Sequence, residues 1–267
     1  MRNFHFLLVT ALLFLTSSCS VDDGAGPENP AQEPVLYEHP MPKDITITSA
    51  DGSIKSMHFE YADTNSYSGK ITKITYEDGS YDDFIYNYDI GLVELNRVKN
   101  GETIEYTQFE YDSSNLLKKR RYVLREDDEP LMYVTTFSHN TSTKTHMRQQ
   151  SENDPFFEEQ SISFQTYFNH FVFVENLNNN TSSSFEYTTE TYSPYVFVTN
   201  RENLLWIFFY ITDRNCTMER KYIDGVNAGQ DRYDYIYNEE KFPVEVKKYN
   251  NASNELLETT TYSYYNL

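Results

Sequence analysis

Phe109-Glu110-Tyr111-Asp112-Ser113-Ser114-Asn115-Leu116-Leu117-Lys118-Lys119 is the stretch that decides the fold. Two aromatic residues, one position apart, precede an acid. A short turn follows, then a strand that starts apolar and ends basic. The same opening occurs at Phe84-Ile85-Tyr86 and Phe59-Glu60-Tyr61, so the unit recurs at a spacing of 25 residues, twice in succession. Related segments follow less regularly at Thr135-Thr136-Phe137, Phe185-Glu186-Tyr187, Tyr235-Ile236-Tyr237 and Tyr262-Ser263-Tyr264. The run from Tyr237 through Asn238 and Phe242 to Lys247 repeats the whole unit. A repeat of this length with two period-2 runs and two turns is a β-hairpin.

Alternation supports the same reading. Tyr233, Tyr235 and Tyr237 fall on one face of one strand, and Thr72, Ile74 and Tyr76 on one face of another. Asp51-Gly52, Asp78-Gly79, Asn100-Gly101 and Asp224-Gly225 are hairpin dipeptides, because both central residues of a type I′ turn need positive φ. The chain holds 24 Tyr and 18 Phe, residues that fit a pleated surface and disfavour helix. Residues 130–225 are less regular. Phe171-Val172-Phe173-Val174 and Leu204 to Ile211 read as strands buried on both faces, and Asn176 to Ser184 as a polar loop. The expected fold is all-β: one domain over 43–267, built of seven to nine repeated antiparallel β-hairpins forming a long, curled meander sheet. Two packed sheets are the alternative.

The first residues carry an address. Arg2 gives a basic start, Phe4 to Leu15 is an apolar run, and Thr16-Ser17-Ser18 supplies small residues before Cys19. The run is too short to span a bilayer as a helix, which takes about 20 apolar residues. This arrangement resembles the lipobox of bacterial lipoproteins, although Thr16 stands where Leu is commoner. The resemblance implies cleavage before Cys19 and acylation of its thiol and new amine with fatty chains such as palmitate. Ser20-Val21-Asp22-Asp23 resembles the Ser-plus-acid export signal of Bacteroidetes-type surface lipoproteins. The expected organisation is a lipoprotein signal peptide at 1–18, then a lipid anchor and Pro-rich tether at 19–42. The tether holds Pro27, Pro30, Pro34, Pro40 and Pro42. The expected location is the outer membrane, lipid-anchored and facing the cell exterior.

The repeat unit also resembles the Tyr-Asp repeats of Rhs and teneurin-type proteins. Phe109-Glu110-Tyr111-Asp112 fits their opening, and Tyr86-Asn87-Tyr88-Asp89-Ile90-Gly91-Leu92 fits with its Gly. Ile104-Glu105-Tyr106 provides a returning strand, but the Gly is replaced at Ser114 and Glu240. With the lipobox, the whole resembles Bacteroides-type surface lipoproteins built from degenerate Tyr-Asp-like repeats. That family implies a β-rich surface protein and transfers no catalytic residue.

Composition and motifs restrict the chemistry. The net charge is −19, and loss of residues 1–18 removes Arg2 and no acid, giving −20. Such a charge repels nucleic acid and anionic headgroups, so no nucleic-acid partner is expected. Once Cys19 is acylated, Cys216 has no disulfide partner, and Asp213, Arg214 and Asn215 beside it do not mark a nucleophile. His5, His39, His58, His139, His146 and His170 form no zinc spacing; His139 and His146, seven apart, are expected on opposite faces of a strand. The acidic runs Glu77 to Asp83 and Glu126 to Glu129 offer oxygen ligands for Ca²⁺, but neither matches the EF-hand loop, and both read as solvated hairpin tips. No cofactor and no metal is expected.

These observations favour a non-catalytic binding or interaction module for glycan or protein, with exposed tyrosines as a possible sugar platform. A structural repeat scaffold without a small-molecule site is the alternative. A hydrolase using a carboxylate pair is the third and least favoured reading.

Overall fold

The computed structural model describes residues 40–62, 69–87, 91–114, 116–124, 130–141, 144–167, 170–188, 191–195, 198 and 214–265. Among these, every helix-or-strand element is a strand. In chain order they are β1 (Met41–Ser49), β2 (Ile54–Tyr61), β3 (Ile71–Tyr76), β4 (Tyr81–Asn87), β5 (Gly91–Lys99), β6 (Glu102–Tyr111), β7 (Leu117–Leu124) and β8 (Leu131–Thr141). Then come β9 (Lys144–Ser151), β10 (Gln160–Tyr167), β11 (His170–Asn176), β12 (Thr181–Tyr187), β13 (Cys216–Ile223), β14 (Val226–Tyr237), β15 (Pro243–Asn250) and β16 (Leu256–Tyr265).

Each strand pairs antiparallel with the next, and β1 pairs with β16 from Met41↔Tyr265 to Ser49↔Glu258, so the sheet closes into a barrel. The sixteen strands make eight consecutive hairpins, as the repeats predict. An open meander does not form, and neither do two packed sheets. Closure satisfies the two edges that an open meander would leave as unpaired backbone. Asn176 to Ser184 is not all loop, since Thr181–Tyr187 is β12, paired on both sides to β11 and β13. Backbone pairing overrides the polar composition of its Ser-rich start. Leu204 to Ile211 lies outside the described residues.

The four dipeptide turns lie at one rim. Gly101 and Gly225 have φ of 82° and 76°, following Asn100 and Asp224 at 53° and 49°. The opposite rim carries the aromatic units. Phe59, Phe84, Phe109, Phe137 and Phe164 lie on alternate strands, face inward and are buried, and Ile74, Leu92 and Leu117 complete this layer. A spacing of 25 residues therefore advances two strands around the wall and returns to the same height.

Bulges recur where these units end, at Glu60/Tyr61, Ile85/Tyr86 and Glu110/Tyr111. The acid after the aromatic pair has a local task. Asp112 Oδ1 accepts from the backbone N–H of Ser114 and Leu116, at 2.8 and 3.0 Å, and Asn238 Oδ1 accepts from Phe242 N–H at 2.9 Å. Asx geometry thus holds the loop without the missing glycine.

The outward face is polar. Glu110 meets Lys119 across β6–β7, Glu60 meets Lys73 across β2–β3, and Arg220 meets Glu186 across β12–β13. Ile85 and Ile236 are exposed among charged neighbours. A barrel wall that faces lipid carries an apolar band on its outer face. The described outward positions here are polar or charged at Glu60, Lys73, Glu110, Lys119, Glu186 and Arg220.

Candidate functional site

A sixteen-strand barrel is too wide for its own side chains to fill. Here the lumen is divided by height. The aromatic layer lies at one end, together with the described residues between β12 and β13. Ser193, Tyr195 and Val198 of that connection are buried, and the Tyr195 ring lies 6.4 Å from that of Phe59. Asn215 anchors the connection by donating to the Tyr192 carbonyl at 2.7 Å, and Thr191 donates to the Tyr237 hydroxyl at 3.0 Å. Towards the turn-bearing rim the inner face becomes polar, with cavities against two parts of the wall.

The first cavity, of about 320 Å³, is lined by Asp82, Leu95, Arg97, Glu105, Thr107, Arg120, Tyr122 and Gln149. Asp82↔Arg97↔Glu105 is a continuous cross-strand row on β4, β5 and β6. Arg97 grips Asp82 with two parallel bonds of 2.8 and 2.9 Å, and Tyr76 donates to the same carboxylate at 2.5 Å. The Arg97 guanidinium also lies 4.8 Å from the Tyr76 ring centroid and 3.7 Å from Glu105. Its bonds to Asp82 raise its pKa above the ordinary arginine value. Burial and the nearby Glu105 push the Tyr122 hydroxyl up to about 12. Both carboxylates of this cavity are thus committed to Arg97.

A second cavity, of about 280 Å³, lies against β14, β15, β16 and β1, where Tyr233, Tyr235, Tyr262 and Lys248 line it with Glu258. Asp231 beside it is almost fully buried and accepts from Lys221 at 2.7 Å and Lys248 at 3.1 Å. Burial raises its carboxyl pKa, but the two lysines outweigh that and hold it below the usual range. Lys248 also lies 3.8 Å from Glu219, to which Tyr233 donates at 3.3 Å. Asp231 and Glu219 are thus paired with Lys221 and Lys248.

The residues singled out in the sequence do not gather. His58 bonds Asp44 on the outer face, and His139 Nε2 bonds the Leu117 carbonyl inside. His146 bonds Ser161, and the His170 ring lies 4.3 Å from that of Tyr187, tilted against it. His139 and His146 sit on β8 and β9 rather than on one strand, because a turn falls between them. His5, His39, Cys19 and Glu126 to Glu129 lie outside the described residues. The Glu77–Asp83 run is split by alternation: Asp78 caps the turn through Ser80, Asp82 points inward, and Asp83 is exposed. Among the described residues, no three His, Cys, Asp or Glu side chains are placed to hold a metal ion. Cys216 is a free thiol beside the lumen, and burial pushes it up to about 12. Arg97, Glu105, Arg120, Asp231 and Lys248 were not indicated by any motif. The signal available is a charge at an inward position of a period-2 strand.

The fold and its interior define a closed antiparallel β-barrel with polar cavity-lining residues above a layer of buried aromatics. No family model matches the chain, and no curated protein matches it in sequence. Among solved structures it is similar to a porin-like protein from Bacteroides uniformis ATCC 8492, at 12% identity and a TM-score of 0.38, over 87% of this chain and 100% of that one. At that distance nothing about pore, ligand or location transfers.

Proposed function

We propose that this chain is a lipid-anchored barrel at the outer membrane that binds, without transforming it, a small polar ligand in its lumen. The ligand class is a glycan fragment or a short peptide. The observation that carries the reading is the division of the interior: donors, acceptors and tyrosine rings line the cavities, with Ile45, Ile47, Met57 and Val246 added in the second, while buried apolar aromatics form a separate layer. Concave sites with a few convergent polar groups on aromatic walls are where small ligands bind. The polar outer wall supports the anchoring half of the proposal, because such a barrel reaches a membrane through Cys19 and the tether rather than through its strands.

Calorimetric titration of the mature protein with oligosaccharide and peptide panels tests the binding half. Saturable binding without turnover is expected. Turnover abolished by one carboxylate substitution would replace the proposal with a hydrolase. Cys19→Ala, expressed in the native host, tests anchoring and is expected to leave the detergent phase for the aqueous one.

The scaffold reading has one observation in its favour. Several lumen tyrosines spend their hydroxyls on wall carbonyls, among them Tyr235 on Cys216 and Tyr264 on Pro243, at 2.6 and 2.7 Å. Those tyrosines hold the wall, and the panels above separate the two readings.

A further inference from the structure

We propose that the first cavity seats the carboxylate of a small acidic ligand against Arg120. This rests on the lumen being a binding site and names the chemistry it selects. Arg120, Thr135 and Gln149 are consecutive cross-strand partners on β7, β8 and β9, so their side chains stand side by side on the inner face. Gln149 and Arg120 line the cavity. Arg120 Nε and the Thr135 hydroxyl are buried without a hydrogen-bond partner among the described residues, and no described carboxylate forms an ion pair with Arg120.

The contrast with Arg97 is the point. Formal charge in the cavity is balanced, two acids against two arginines, yet Asp82 and Glu105 both lie on Arg97. A guanidinium stays protonated in proteins, and a partly desolvated charge without a counter-ion is costly. Burial lowers the Arg120 pKa, which is the direction of an uncompensated cation. An anion bound there gives Arg120 a direct partner of its own, and the planar fork of a guanidinium matches two carboxylate oxygens. Asp82 and Glu105 lie in the same cavity, so a second negative charge on the ligand meets repulsion. That favours a carboxylate monoanion over a phosphate dianion.

The test uses the mature protein and its Arg120→Met variant, with galacturonate, galactose and inorganic phosphate as probes. Galacturonate is expected to bind at least ~10-fold more tightly than galactose, and Arg120→Met to remove that preference, a loss of about 1.4 kcal/mol or more. Tighter binding of phosphate, or a galacturonate preference that survives in the variant, overturns the proposal. Galactose binding unaffected by the variant, with no preference for the acid, overturns it too while leaving a lumen binding site standing. Thermal unfolding without ligand gives an independent readout. Removing an unpaired charge is expected to leave Tm unchanged or raise it. A fall in Tm identifies Arg120 as a structural ion and overturns the site even if no probe binds.

Discussion

The Tyr111 hydroxyl donates to the backbone carbonyl of Leu92 at 2.5 Å, and Leu92 is the residue that faces Tyr86 across β4–β5. Tyr86 in turn donates to Ile71, which faces Tyr61, and His139 Nε2 meets the carbonyl of Leu117, which faces Tyr111. In the units ending at Tyr86 and Tyr111 the second aromatic thus ties its strand to the start of the preceding one, at the height of the bulges. At the seam, Tyr265 donates to the Phe59 carbonyl at 2.9 Å and brings β16 against β2 across β1. In the Phe137-Ser138-His139 unit an imidazole replaces the phenol in the same bond.

Tyr111→Phe keeps the ring and deletes the donor. Leaving the carbonyl of the buried Leu92 without this partner is expected to cost about 1–2 kcal/mol, or about 2–8 °C in Tm for a domain of this size. Tyr81→Phe serves as the control, since that outward ring keeps its contact with the Lys73 ammonium, 4.3 Å from its centroid. Thermal unfolding followed by circular dichroism compares the two. Equal stability of Tyr111→Phe and wild type would show that the ladder adds nothing to the wall.

The hairpins, their turns and the inward aromatics were legible because each depends on local spacing. Closure was not. It depends on Met41 meeting Tyr265, a pairing between distant ends for which no local pattern exists. The candidate site was hidden by its surroundings. Lys118-Lys119-Arg120-Arg121 is only the basic end of a strand in the sequence, yet the bulge before Tyr111 sets a register in which Arg120 faces Phe109 inside while Lys119 and Arg121 face out. Asp82 and Asp83 repeat the lesson, since adjacent acids fall on opposite faces and only the first is buried.

Asp231→Asn is expected to destabilise the barrel by about 3 kcal/mol, at the low end for breaking a buried ion pair because Lys221 and Lys248 keep partial contact with water. The carboxylate is almost fully buried, and its removal leaves both ammonium groups without their shared anion. A urea midpoint shift at unchanged slope measures the loss. Asp231→Asn combined with Lys248→Met is expected to recover part of it. A double variant no better than Asp231→Asn would remove the charge argument.

Cys216 is expected to resist alkylation in the folded protein. With its thiol pushed up to about 12 by burial, the reactive thiolate is scarce at pH 8. In a Cys19→Ala background, iodoacetamide should label the native chain at least ~100-fold more slowly than the urea-unfolded one, in line with that pKa difference. Comparable rates, read by mass spectrometry, would refute the raised thiol pKa of Cys216.

Acid should open the seam through Asp44. Its Oδ1 is 2.7 Å from His58 Nδ1 on β2, and its Oδ2 accepts from Ser263 Oγ on β16 at 2.7 Å, so one carboxylate links both neighbours of β1. Burial opposes ionisation, but the bonds from His58 and Ser263, with the imidazole and Lys43 nearby, bring the pKa below its ordinary 3.8. A carboxyl whose folded pKa is depressed binds its proton more readily when unfolded. Its contribution is therefore complete above the unfolded value and is lost as pH falls through the folded one. Asp44 and His58 are each close to half exposed, so screening limits the effect to about 0.5–1 kcal/mol. Asp44→Asn is accordingly expected to lower Tm by about 1–4 °C at pH 5. The gap should narrow steadily below pH ~4 and close near pH ~2 as the wild-type carboxylate protonates. Unfolding curves of both proteins between those pH values decide it, and a gap that stays constant down to the lowest pH would exclude the Asp44 charge as the source of seam stability.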